Sequence, residues 1–103
     1  MFNYTTTKND ADLHVFFNGD LDIEGTELID EELIPFLLNL KIVSISFKGV
    51  PFVDSSGMGL FMKLIHTLKE NDVIVTVSEI RPEVYKVFEL LEIPEIVGEK
   101  VFV

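Results

Sequence analysis

The chain contains no cysteine and no tryptophan, and only two histidines among its 103 residues. Disulfides and thiolate metal sites are therefore excluded, and His14 and His66 stand too far apart to predict a zinc site. Basic residues are also scarce. Eight Lys and Arg stand against eighteen Asp and Glu, a formal charge of −10. Such a surface repels phosphate backbones and anionic lipid, so neither nucleic acid nor a membrane is an expected partner. It would attract a basic protein surface, or it simply keeps a small domain soluble. Long apolar runs are missing too: the longest, Leu33 to Leu38, is far short of the roughly 20 residues that span a bilayer. Met1 to Asp10 has neither the basic start nor the apolar stretch of a signal peptide. A cytoplasmic location is expected.

Chemistry is bounded by further absences. There is no G-x-x-x-x-G-K-[ST], so no P-loop nucleotide site and no cofactor is predicted. A serine hydrolase would need the G-x-S-x-G elbow, which is absent. Its base is also hard to supply, because His66 lies about 16 Å along the predicted helix from Ser55. A phosphoryl-accepting receiver centred on Asp54 would want an acidic pair after its first strand to hold Mg²⁺. Here Asp20 and Asp22 follow the second of two strands.

What the chain does have is enough apolar residue, 48% with nine Phe, to bury one core across 1–103. Phe2 to Lys8 and Leu13 to Asn18, separated by Asn9-Asp10-Ala11-Asp12, predict a β-hairpin. His14 falls on a strand face. Ile23 to Leu40 carries a helical stripe of Leu28, Ile29, Leu33, Phe36, Leu37 and Leu40. From Asp20 to Glu32 there are seven acids and no base, partly explained by the helix dipole. Pro35 should kink this helix or split it nearer Asp30. Lys41 to Phe47 and Val73 to Ser78 read as strands, each with one apolar face and one carrying small hydroxyls. Between them a helix runs from about Ser56 to Lys69 and is apolar nearly all round; Met58 and Met62 on it are either buried or offered to a partner. Pro82 opens a last helix that Ile93-Pro94 should end, and Glu99 to Val103 is a short strand or a tail. The order β-β-α-β-α-β-α-(β) predicts an α/β fold, a mixed sheet opened by a hairpin with helices mainly on one face.

Function concentrates in Val50 to Gly59, a strand-to-helix turn. Asp54, Ser55 and Ser56 are helix-capping residues. Gly57 and Gly59 would leave the first turn open to close approach. A hydroxyl beside a carboxylate at a helix N-terminus suggests phosphate chemistry, since free N–H groups and the dipole favour an added anion. The plainer alternative is a helix cap and nothing more. On physical grounds Ser55 and Ser56 are equivalent candidates.

Gly19-Asp20-Leu21-Asp22, Phe52-Val53-Asp54-Ser55-Ser56-Gly57-Met58-Gly59 and Arg81-Pro82-Glu83-Val84, in this order of elements, resemble the anti-sigma factor antagonists of the STAS domain family. The resemblance covers almost the whole chain. It implies a binding protein and not an enzyme. It implies that Ser55, after the aspartate, is phosphorylated by a partner that is both anti-sigma factor and serine kinase, and that a phosphatase reverses this. Asp22 would lie beside the phosphoacceptor, with Asp54, Ser56 and Gly57 around it, and Asp20, Met58, Gly59 and Met62 would meet the partner. Asp20 replaces the family's usual Glu, and Ile93-Pro94 departs from its Gly-Leu. The rival within the same resemblance is a STAS scaffold or transport-complex subunit that is never phosphorylated.

Overall fold

The structure, a computed structural model, describes residues 1–10 and 12–103. β1 (Asn3–Asn9) and β2 (Asp12–Asn18) form an antiparallel hairpin, and β3 (Ile42–Gly49) and β4 (Ile74–Ser78) extend it as parallel strands in the order β1-β2-β3-β4. Each parallel step is made by a helical crossover, as short loops cannot connect parallel neighbours.

Strand alternation decides which face is covered. Leu13, Val15 and Phe17 of β2, Val43, Ile45 and Phe47 of β3, and Val75 and Val77 of β4 are buried. His14, Phe16, Ile42 and Ile74 stay exposed on the other face. Against the buried face lies α2 (Ser55–Glu70), with Leu60, Phe61, Leu64, Ile65 and Leu68 turned to the sheet. Phenylalanines organise this core: Phe47 meets Phe17, Phe61 and Phe88 at ring-centroid distances of 5.4, 5.5 and 5.9 Å. Such pairs add about 0.5–1.5 kcal/mol each beyond their burial.

Three expectations need correction. The crossover after β2 neither kinks nor splits near Asp30. It begins as a 3₁₀ turn (Ile23–Gly25), widens into a π-helix (Leu28–Leu33) and closes as α1 (Ile34–Leu37). The wide turn sits just before Pro35, whose missing N–H and bulky ring would disrupt an α-helical ladder. Ile34 N–H accordingly bonds the carbonyl of Ile29, five residues back. Second, Ile93-Pro94 does not end the last helix. That helix, α3 (Pro82–Leu90), stops before Glu92, whose φ of 58° is left-handed, and Ile93-Pro94 opens α4 (Ile93–Val97). Proline is favoured in a first helical turn, where its missing N–H costs nothing. Third, Glu99–Val101 is a 3₁₀ turn, and only then does Phe102 bridge Val77 in parallel, with Val103 N–H on the Val77 carbonyl at 3.0 Å.

Candidate functional site

The site forms where two segments leaving parallel strands run side by side. After β2, Gly19 turns with φ 89°, and Leu21 pairs in parallel with Val53. Leu21 N–H donates to the Phe52 carbonyl at 3.0 Å, and Asp54 N–H donates back to the Leu21 carbonyl at 3.3 Å. This short ladder fixes Asp20-Leu21-Asp22 against Phe52-Val53-Asp54, so segments 32 residues apart in sequence share one place.

Each strand extension then turns into a helix through its own aspartate. Asp22 Oδ1 accepts from Glu24 N–H at 3.0 Å and opens the 3₁₀ turn. Asp54 Oδ1 accepts from Gly57 N–H at 2.8 Å and caps α2, while its carbonyl takes Met58 N–H at 2.8 Å. A side-chain cap of this kind stabilises by about 1 kcal/mol. Ser55 and Ser56 are therefore the first two residues of α2, not its cap. Both are exposed, and their amides precede the helical ladder.

Gly57 serves packing rather than openness. It is buried, and a Cβ there would collide with the Leu21 carbonyl oxygen and lie 3.0 Å from Val53 Cγ1. Its absent side chain lets α2 start directly on the Leu21 backbone. Gly59 is the open one, exposed with nothing within 4 Å of where its Cβ would stand. Met58 is corrected as a partner-facing residue: at 2% exposure it belongs to the core, since the stripe of α2 that faces the sheet begins with it. Met62 is half-buried and Asp20 is exposed. Two apolar residues that sequence reading passed over flank this end of the sheet: Ile23 and Phe52 are 68% and 53% exposed. The signal was their place beside Asp22 and Asp54, where a turn needs no large apolar side chain.

His14 meets a different serine from the one considered in the hydrolase argument. Its Nδ1 is 2.6 Å from Ser44 Oγ across β2 and β3, on the open face of the sheet. The one resolved shift in proton affinity is also remote from Ser55. Burial, then the charge and hydrogen bond of Glu32, push the Tyr4 phenol up. Among the described residues no group of three His, Asp or Glu is placed to hold a metal ion, and no helix is long and apolar enough to cross a membrane.

This arrangement is shared with known proteins. The anti-sigma-B factor antagonists of Staphylococcus aureus and Bacillus subtilis are similar to this chain, 26% identical over 89 residues (85% of this chain, 82% of the relative) and 21% over 95 (92% and 87%). A sulfate transporter family protein from Wolinella succinogenes superposes with a TM-score of 0.80 at 14% identity, covering 93% of this chain and 79% of that one. The Bacillus protein SpoIIAA in its phosphorylated form superposes at 0.69 and 20% identity, covering 100% and 89%. At these identities the superpositions speak for the fold. Residues 3–103, which hold the whole sheet, both aspartate-capped turns and α2, match the STAS domain, and the chain belongs to the STAS domain family.

Proposed function

We infer that this chain is an anti-sigma factor antagonist. It binds an anti-sigma factor that is also a serine kinase, so that a sigma factor is freed, and phosphorylation of Ser55 ends that binding until a phosphatase restores it. It acts in the cytoplasm and is not an enzyme. The observation that carries this reading is the exposed hydroxyl of Ser55 at the first position of α2, directly after the Asp54 cap and beside the Leu21–Val53 ladder. The relatives named anti-sigma-B factor antagonist support the class of partner.

The physics of the switch follows from charge. A phosphoserine brings about −1.5 to −2 charges. At the start of α2 the helix dipole favours it by about 0.3–1 kcal/mol, but the Asp54 carboxylate occupies the Gly57 amide and Asp22 lies across the ladder. A partner surface arranged around an uncharged hydroxyl and the exposed apolar Ile23 and Phe52 would have to desolvate that charge. A differential cost of about 3 kcal/mol weakens binding more than a hundredfold.

A second reading, a STAS scaffold or transport-complex subunit with an unmodified Ser55, is favoured by the likeness to the Wolinella sulfate transporter family protein. The two separate in a capture from native lysate with wild type, Ser55→Ala and Ser55→Asp, identified by mass spectrometry. An ATP-binding anti-sigma factor kept by Ala and lost with Asp supports the switch. Binding indifferent to both changes, phosphate mapped only to Ser56, or recovery of transport proteins alone would replace it with the scaffold.

A further inference from the structure

The C-terminal half of α2, away from Ser55, carries a feature that the antagonist reading does not use. Met62, Ile65, His66 and Lys69 recur at helical spacing on one side of α2, and opposite them stand Ile96 and Val97 of α4. Between the two helices runs a groove of about 490 Å³, within the size range of small-molecule sites. Its floor is apolar. Ile65 and Val97 are buried, Met62 is half-buried, and Ile96 remains 60% exposed, an uncovered aliphatic side chain at the rim.

The charged groups around it are Lys63, His66, Lys69 and Glu70. Lys63 Nζ pairs with Asp30 Oδ2 at 3.1 Å, and His66 Nε2 faces Glu70 Oε1 at 3.4 Å. Lys69 is held differently. Its Nζ donates to the Val97 carbonyl, at the end of α4, at 2.8 Å. Gly98, with φ 108°, leaves the room, since a Cβ there would stand 2.9 Å from the ammonium. One of the three Lys69 donors is thereby fixed at the mouth of the groove and two are left over, with no carboxylate within ion-pair distance among the described residues. In a chain of charge −10, an apolar trough bordered by two lysines and one glutamate is a local inversion of sign.

We propose that this groove binds a free amphiphilic carboxylate with one medium-length acyl chain, the chain lying on Met62, Ile65, Ile96 and Val97 and the carboxylate on Lys69. Charge selects the anion. Length selects a small molecule over a partner helix, because Met62 to Lys69 spans only about 10 Å of α2, two turns, which buries far less than the roughly 800 Å² per partner of a stable protein interface.

The test is calorimetric titration of the full chain with hexanoate, octanoate and decanoate below their micellar concentrations, with octanol and octylammonium as controls and amide chemical shifts to locate binding. Each buried methylene should tighten binding about fourfold, equivalent to about 0.8 kcal/mol, with shifts along α2 and α4. Lys69→Gln should weaken octanoate about three- to tenfold and leave octanol unchanged. Ile96→Ser, at an exposed position, should weaken both, with thermal unfolding showing each variant folded. No binding at millimolar ligand, no dependence on chain length, octylammonium equal to octanoate, shifts confined to the open sheet face, or binding to phosphatidylglycerol vesicles without binding to monomeric octanoate would each overturn the proposal. Since none of these readouts involves Ser55, their failure leaves the antagonist reading untouched.

Discussion

A single methyl group at Gly57 is expected to destabilise the domain, while the same group two residues later stabilises it. In Gly57→Ala the new Cβ would stand 2.6 Å from the Leu21 carbonyl carbon and 3.0 Å from Val53 Cγ1, where ordinary contact is 3.4–4 Å. The obstacle is backbone that cannot rotate away. Leu21 is tied on both sides, its N–H to Phe52 and its carbonyl to Asp54 N–H. Relief therefore requires α2 to lift by nearly an ångström, which stretches the 3.3 Å Asp54–Leu21 bond that joins the two site segments. Overpacking of this sort costs about 1–3 kcal/mol, against about 0.5–1 kcal/mol gained by replacing glycine in a helix. In Gly59→Ala the cost vanishes, because nothing lies within 4 Å. Both substitutions restrict the unfolded chain equally, so their difference isolates the Leu21 contact. With about 4–8 °C per kcal/mol for a domain of this size, Gly59→Ala should raise Tm by about 2–8 °C and Gly57→Ala should lower it by about 4 °C or more. Calorimetry of both variants at one scan rate decides. A Gly57→Ala protein that melts with Gly59→Ala would refute the claim that α2 starts on the Leu21 backbone.

Asp54→Ala should lose about 1 kcal/mol in urea unfolding through the vacated Gly57 amide, and Asp54→Asn only a few tenths, because asparagine caps nearly as well. Tyr4 supplies a pH dependence. Its phenol is raised by burial first and by Glu32 second, so the folded chain holds that proton to higher pH than the unfolded chain does. The contribution is present below the unfolded value of about 10 and is lost as pH rises through the folded value. Tyr4→Phe should therefore show a shallower fall in urea midpoint between pH 9 and 11 than wild type; identical slopes would refute the assignment.

The sheet was legible because alternation is a local property. Val43, Ile45 and Phe47 face one way, whatever they pack against, and the parallel order follows from helices too long to be turns. The phosphoacceptor candidate was legible as a place but not as a geometry. Which of Asp54, Ser55 and Ser56 caps α2 depends on backbone torsion at one residue, and the extended ψ of −175° at Asp54 has no signature in composition. The roles of Gly57 and Met58 were misread for a related reason. Both depend on Leu21 and the sheet arriving from elsewhere in the chain, and sequence spacing carries no distance across that gap. Pro35 announced a disturbance, but how the chain absorbs it, by widening a turn upstream, is a compromise between that ring and the burial of Ile29, Leu33, Ile34 and Leu37. The helix boundary at Glu92 rests on a left-handed glutamate, which residue preference argues against.

The bridge between Phe102 and Val77 also bears on how the molecule avoids its own copies. A sheet of four strands has two unpaired rims, and each is a template for another chain. The β1 rim is defended by chemistry, with asparagine, threonine and Lys8 along an exposed strand. The β4 rim has Ile74 at 63% exposure and is defended by occupation instead, with Phe102 and Val103 lying along Val77. Lys69 and Lys100 border the stretch from Ile74 to Thr76 that this leaves uncovered, so a second acidic chain can approach but finds little apolar edge on which to zip up. Freedom from edge-to-edge aggregation is thus divided unequally, half written into the side chains of the first strand and half entrusted to two residues at the far end of the sequence.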